Sequence, residues 1–174
     1  TGGFMKGFLP QQQPSKKYSI NNNSLNLLTD LASDLPKLLL TGQLQNKINR
    51  LKDSELEISE LLINKKPSDI NLAMRHISFI AHGYIWGDEE PHEVLPKVIS
   101  KPWVQIANEL GRPPVLSYAS YCLDNWYKID ANEEINLENV ALINNFLGGV
   151  DEDWFVTVHV AIENQASGAI EACM

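Results

Sequence analysis

Residues 79–126 read FIAHGYIWGDEEPHEVLPKVISKPWVQIANELGRPPVLSYASYCLDNW, and this stretch decides the fold. It contains two helical patterns joined by a linker that prolines interrupt. The proline pair at 113–114 ends one helix and can begin the next. Beyond it, Tyr118, Tyr121 and Cys122 lie at i, i+3 and i+4, so a helix would place them on one face. Such residues more often belong to a core, but this polar face could also line a pocket.

Outward from this stretch, the pattern predicts a mainly helical protein. Apolar residues repeat at helical spacing over 70–86, with Ser68 as the expected N-cap and Gly87 as the stop. Similar patterns predict helices over residues 24–42 with a break at 34–36, then over 43–51, 98–110, 114–127 and 136–146. An acidic turn at 151–153 follows.

Two segments do not reveal their structure by pattern alone. The leucines and isoleucines of 53–64 fit a helix or a strand equally. In 154–163 the alternating valines favour a strand by propensity. Phe155, His159 and Ile162 or Glu163 nevertheless also form a helical face, so both alternatives remain at this point.

Composition excludes several classes of function. The chain has 174 residues, of which 44% are hydrophobic and 21% charged, and its formal net charge is −8. A binder of nucleic acid needs a basic surface, so we expect no such partner. No apolar run approaches the roughly 20 residues of a membrane helix, so we expect no membrane association.

The start of the sequence lacks a secretory signal pattern, and Cys122 and Cys173 form neither a disulfide framework nor a metal-binding spacing. We therefore expect reduced thiols in a cytoplasmic protein.

The four histidines include one candidate of interest. His76 and His82 are six residues apart on one helix, which puts them on different faces and prevents them from chelating one ion. His92 lies in an acidic linker and is expected to be solvated. His159 lies in the most apolar segment, where a core histidine bonded to a carbonyl is the plainer interpretation. No phosphate loop, zinc signature or nucleophile elbow occurs in the sequence.

Several blocks in a fixed order resemble the indoleamine 2,3-dioxygenase family. They are YIWG at 84–87, VLPKVISKPWVQIANELGRPPVLSYASYCLDNW at 94–126 and DWFVTVHVAIE at 153–163. GFLP at 7–10 and LPKLLLTGQL at 35–44 fit the same family. The resemblance covers roughly residues 7–172.

This resemblance implies a haem b enzyme that uses ferrous iron and dioxygen. Members cleave the indole C2–C3 bond of L-tryptophan to N-formylkynurenine, the first step of the kynurenine pathway. The implied fold is mainly α: an extended arm at 1–23, a small helical domain at 24–147, and at 148–174 the start of a large haem-binding helical domain. It also implies that 154–163 is a helix, because tertiary context can override β propensity.

The resemblance also implies roles for individual residues. Tyr118, Tyr121, Cys122 and Phe155 match positions that surround the indole, and His159 matches a distal position where relatives carry a serine, if Glu163 aligns with the family glutamate. A one-residue shift would put Val158 there instead. Tyr121 departs from the small residue of well-known relatives, which narrows the pocket or adds a donor. Imidazole at 159 could accept the indole N–H or hydrogen-bond a ligand of the iron.

No residue of this chain matches the family's proximal histidine, which the resemblance places beyond residue 174 together with the carboxylate-binding arginine. We therefore expect the first part of a longer protein, inactive alone, with its C-terminal domain and a small indole as partners. Two alternatives stay open: a family relative that oxidises another indole, and a haem-free helical binding module if the chain is complete at residue 174.

Overall fold

The structure is a computed structural model that describes residues 7–173, apart from the side chain of residue 171. Residues 1–6 of the predicted arm and residue 174 lie outside the described part. The elements in chain order are α1 (Asn23–Ser33), α2 (Leu35–Leu40), α3 (Leu44–Asn49), α4 (Ser59–Asn64), α5 (Pro67–Trp86), α6 (Lys97–Glu109), a π-helical turn (Ala119–Leu123), β1 (Trp126–Lys128), β2 (Val140–Leu142) and α7 (Val150–Ala172). The prediction of a mainly α protein is confirmed.

Helix α5 lies at the centre of the main core, which we define as the buried apolar side chains contributed by α1 to α6 and the loops between them. It is buried on nearly every side, since α1, α6 and the π-helical turn all pack along it. The predicted stop at Gly87 is confirmed, but the predicted N-cap Ser68 is wrong. The helix begins at Pro67, whose fixed φ suits a first helical position.

Two predicted helices are wrong. Residues 114–127 form the π-helical turn and then β1, and residues 136–146 contain β2. The two strands pair antiparallel, with Tyr127 opposite Ala141. Buried Asn125 extends this pairing, because its side-chain oxygen accepts from the amide N–H of Asn144 at 2.8 Å while its Nδ2 donates to the Asn144 carbonyl at 2.9 Å. The side-chain amide of Asn125 thus continues the hydrogen bonding of a strand pair that is only three residues long.

The ambiguous segments are both helical. Residues 59–64 form α4, and 154–163 lie within α7, as the family resemblance implied. Val156 and Val160, one turn apart, bury the same face of α7 in a second core. This second core consists of Leu9, Cys122, Trp126, Val140, Val156 and Val160. It joins the arm, the π-helical turn, the hairpin and α7.

The arm is fastened along its length. Gly7 has φ +59°, and a Cβ there would lie 2.5 Å from the carbonyl oxygen of Glu163, so the position requires glycine. Gln13 accepts from the amide of Lys128 at 3.2 Å. Nearer α1, the amide of Ser19 donates to both carboxylate oxygens of Asp69, at 3.1 and 3.2 Å. The arm therefore bridges α5, the hairpin and α7.

Arg75 is a buried arginine that connects several parts of the fold through hydrogen bonds. Its guanidinium donates to the Ser15 carbonyl at 2.6 Å and to the Asn144 side chain at 2.9 Å. It also donates to the main-chain carbonyl of Asp124 and forms an ion pair with that residue's carboxylate at 3.1 Å. One side chain of α5 thus holds the arm, the end of the π-helical turn and the segment after β2.

No helix within residues 7–173 combines the length and the apolarity that a bilayer crossing demands.

His76 should make the free energy of unfolding depend on pH. Its ring is buried beside the Tyr18 hydroxyl, 3.2 Å away, and burial followed by the charge of Arg75 lowers its pKa from 6.5 to about 3. Folded His76 then stays neutral while the unfolded chain binds a proton below about pH 6.5. Its contribution to stability is therefore complete above pH 6.5 and is lost as the pH falls toward 3, by up to about 1.4 kcal/mol per unit.

Denaturant unfolding at pH 7 and pH 5 measures this effect. Most carboxylates protonate below pH 5, so we expect about 2 kcal/mol to be lost across this interval through His76. The variant His76→Gln should show a correspondingly flatter dependence. The control His92→Gln, which replaces an exposed histidine in contact with Asp88 at 2.9 Å, should behave like the original protein. Equal pH dependence in all three proteins would contradict the assignment.

Candidate functional site

Glu152 anchors the start of α7. Its carboxylate accepts from the amides of Phe146, Leu147 and Gly148, at 2.7, 2.9 and 3.1 Å. Asp153 accepts from the side chain of Asn145 at 2.6 Å. Acidic side chains are favoured in the first turn of a helix because of its dipole. These contacts fix the direction in which α7 leaves the preceding segment.

The π-helical turn decides how the three residues at 118–122 are presented. The amide of Asp124 donates to the carbonyl of Ala119 at 2.8 Å, five residues back, so one residue more than in an α-helix is accommodated. Cys122 is buried in the second core, and burial raises the pKa of its thiol to about 11. Tyr118 remains exposed, and Tyr121 is half-buried. The single face expected for these three residues is therefore divided.

Four of the five predicted site residues lie together: Phe155 and His159 on α7, and Tyr118 and Tyr121 next to that helix. We call these four residues the distal cluster. The ring centroids of Phe155 and His159 are 4.4 Å apart, and Tyr118 meets His159 edge-on at 5.8 Å. Tyr121 lies 6.0 Å from Phe155. Cys122 is buried in the second core, against which Tyr121 packs. The cluster presents aromatic faces and an imidazole on an open surface.

His159 is half-exposed rather than part of a core. Its Nδ1 lies 2.5 Å from the carbonyl oxygen of Phe155 one turn earlier. A carbonyl oxygen can only accept, so Nδ1 carries the proton. In the ring's neutral form Nε2 is then a hydrogen-bond acceptor, and within residues 7–173 no group donates to it. The plainer interpretation was correct about the carbonyl partner and wrong about the core location.

Both tyrosines of the distal cluster are held as neutral phenols. Burial, and then the charge of Glu163, raise the pKa of Tyr118 to about 12. The Tyr118 hydroxyl donates to Glu163 at 3.3 Å. Burial, followed by the charge of Glu152, likewise raises the pKa of Tyr121 to about 12. At neutral pH the Tyr121 hydroxyl can therefore donate a hydrogen bond to a ligand, whereas the single proton of Tyr118 is donated to Glu163.

The open face of α7 continues beyond the distal cluster. Trp154, Phe155 and Ile162 are 59%, 49% and 56% exposed, respectively. Val158 and Ala161 lie between them and line a shallow cavity of about 580 Å³ against the loop from Ile135 to Glu138. Apolar patches of this kind mark interaction or ligand surfaces.

The other histidines lie apart from this site. His76 faces Tyr18 in the main core, while His82 Nε2 accepts from the amide of Leu116 at 3.0 Å. His92 contacts Asp88 at 2.9 Å. Within the described residues no three His, Cys, Asp or Glu side chains come together with the geometry of a metal site.

Sequence reasoning missed the residues that support the site. Arg75 and Asn125 hold the end of the π-helical turn, and Glu152 holds the start of α7. Only Glu152 carried a signal, as an acidic residue in a first helical turn. The partners of Arg75 lie far away in the sequence, and no local pattern indicates them.

Comparison with known proteins agrees with this architecture. A sequence model of the indoleamine 2,3-dioxygenase family matches residues 4–174. The indoleamine 2,3-dioxygenase of Saccharomyces cerevisiae is 33% identical over 94% of this chain and 36% of its own length. Indoleamine 2,3-dioxygenase 1 of Rattus norvegicus is 34% identical over 82% of the chain and 34% of its own length. The chain thus spans about a third of the length of these curated relatives, and it belongs to the indoleamine 2,3-dioxygenase family.

Proposed function

We propose that this chain supplies the distal wall of the substrate site in a haem-dependent dioxygenase that converts L-tryptophan to N-formylkynurenine. The observation that carries the proposal is the distal cluster, which gathers three aromatic rings and an imidazole on one open face of a family member. Flat apolar walls with a few polar groups are the usual lining of a small-molecule site.

The side chains present fit the substrate side of a haem pocket. His159 offers an acceptor on the open face, and Tyr118 and Phe155 offer ring surface beside it. Haem iron, when bound, would supply the redox chemistry toward dioxygen. The histidine that would hold the haem, and the arginine for the substrate carboxylate, would come from a part of the parent protein beyond residue 174.

Each residue of the distal cluster has a defined task in this proposal. The rings of Phe155 and Tyr121 pack against the indole and exclude water from it. Nε2 of His159 accepts the indole N–H and fixes its direction. Tyr118, whose hydroxyl donates to Glu163, contributes the face of its ring to the border of the site.

The proposal also explains the open face of α7. In the parent protein, a C-terminal helical domain would cover Trp154, Phe155 and Ile162, whose exposure would otherwise be costly. The proposed organisation is an arm at 1–23, a small helical domain at 24–147, and the beginning of the large domain at 148–174.

Turnover by the longer parent protein tests the function. Purified with haem and a reductant, it should consume L-tryptophan and dioxygen and release N-formylkynurenine. Turnover of another indole without turnover of L-tryptophan would favour the family relative with a different substrate, an alternative that Tyr121 and His159 motivate. A parent that binds no haem would overturn the proposal in favour of a binding module.

Tyr121 should limit the size of the substrate. Its ring packs between Phe146 at 6.1 Å and Phe155 at 6.0 Å, so Tyr121→Cys opens space beside the indole position. We expect the kcat/KM ratio of 5-methyltryptophan to L-tryptophan to rise about tenfold, since one methyl-sized fit is worth about 10–200-fold. Tyr121→Phe keeps the ring and should leave the ratio unchanged. A ratio that does not respond to Tyr121→Cys would remove Tyr121 from the substrate wall.

A further inference from the structure

A separate cavity lies where the end of α5 meets α2 and the segment before α7. Its volume is about 390 Å³, and its side-chain walls are Leu39, His82, Trp86, Phe146 and Leu147, with two glycines at the end of α5. Cavities of roughly 300–1,000 Å³ accommodate small molecules. None of these residues belongs to the distal cluster, and among the described residues the only wall residue with a ring against that cluster is Phe146, whose ring centroid lies 6.1 Å from that of Tyr121.

The walls of this cavity favour a flat apolar ligand. Trp86 is 64% exposed although its indole borders the cavity, so an occupant would remove a large apolar surface from water. Phe146 is held in place, because it stacks on buried Phe79 with ring centroids 4.7 Å apart. One wall of the cavity is therefore the fixed ring of Phe146, and another is the exposed indole of Trp86.

His82 supplies a single directed polar group. Its Nε2 accepts from the amide of Leu116 at 3.0 Å, so the proton of the neutral ring is on Nδ1. The ring also stands edge-on to Trp103, with centroids 6.0 Å apart, which fixes its plane. Burial lowers the pKa of His82, which keeps the ring neutral at pH 7. Within residues 7–173, Nδ1–H has no acceptor.

We propose that this cavity binds a flat, uncharged bicyclic aromatic molecule whose single acceptor, a carbonyl oxygen, takes the Nδ1–H of His82. The aromatic part would lie against Trp86 and Phe146, and the oxygen would satisfy the free donor. An uncharged ligand fits better than an aromatic acid, since the chain carries a formal net charge of −8.

Binding of 1-indanone and of indane to the 174-residue chain tests the proposal. The two bicyclic probes differ only in the carbonyl oxygen. Saturation-transfer NMR and the shift of the Trp86 indole N–H report binding, and circular dichroism verifies folding. We expect a Kd on the order of 1 mM for 1-indanone, as suits a ligand of its size, and binding of indane at least fivefold weaker.

Matched tryptophan variants locate the probe. Trp86→Ala should weaken 1-indanone binding at least tenfold, whereas Trp154→Ala removes a similarly exposed indole on α7 and should leave the Kd unchanged. In His82→Phe the preference for 1-indanone over indane should disappear. Equal affinity for both probes in the original chain, or a Kd that responds to Trp154→Ala and not to Trp86→Ala, would overturn the proposal.

Discussion

Replacing Arg75 by alanine should lower the free energy of unfolding by about 3–5 kcal/mol, the usual effect of removing one partner of a buried ion pair. The guanidinium is buried and serves Ser15, Asp124 and Asn144 together. Its loss leaves the largely enclosed Asp124 carboxylate without its partner. For a chain of this length the melting temperature should fall by roughly 10 °C. Thermal or denaturant unfolding measures both quantities.

Two further variants give this prediction its controls. Arg50→Ala removes an exposed arginine and should change the free energy of unfolding by less than about 0.5 kcal/mol. The double variant Arg75→Met with Asp124→Asn should recover part of the loss, because it neutralises the carboxylate that Arg75→Met alone would leave uncompensated. If Arg75→Ala costs no more than Arg50→Ala, the connecting role assigned to Arg75 is wrong.

His159→Ala should reduce tryptophan turnover by the parent protein roughly five- to hundredfold, since a lost hydrogen-bond partner costs about 1–3 kcal/mol in the step it serves. His159 is half-exposed, and its hydrogen bond within the described residues stays inside α7, so haem content and stability should hardly change. Turnover assays with haem quantification measure this.

Serine at position 159 should restore part of the activity, because its hydroxyl can also accept a hydrogen bond. The control His92→Ala alters a histidine in the exposed linker and should leave turnover unchanged. A His159→Ala protein that turns over tryptophan normally would show that Nε2 does not meet the substrate. The match of 154–163 to the family would then need to move by at least one position.

The long helices could be predicted from sequence because their information is local. Apolar residues recur at helical spacing along α5 and α6, and the structure shows helices over nearly the predicted residues. In α7 the valines indicated a strand by propensity. The family resemblance was needed to choose the helix, whose buried side carries Val156 and Val160.

The π-helical turn and the hairpin could not be predicted, for two physical reasons. Tyr118, Tyr121 and Cys122 fit an ordinary helix equally well, and the end of the turn at Asp124 is held by Arg75, which is distant in sequence. The two strands have three residues each, whereas alternation needs about four to eight residues to be recognised. The aromatic members of the site were therefore found by resemblance, while their supports became visible only in three dimensions.

The fastening of the arm has a consequence for the order in which the chain can fold during synthesis. Leu9 leaves the ribosome early, but Val156 and Val160, with which it shares the second core, are synthesised much later. Leu9 therefore stays exposed to solvent until α7 has been synthesised. Contacts between residues so far apart in sequence also form slowly. A side chain introduced at Gly7 would press on the carbonyl of Glu163 and so disturb α7, which lies far along the sequence.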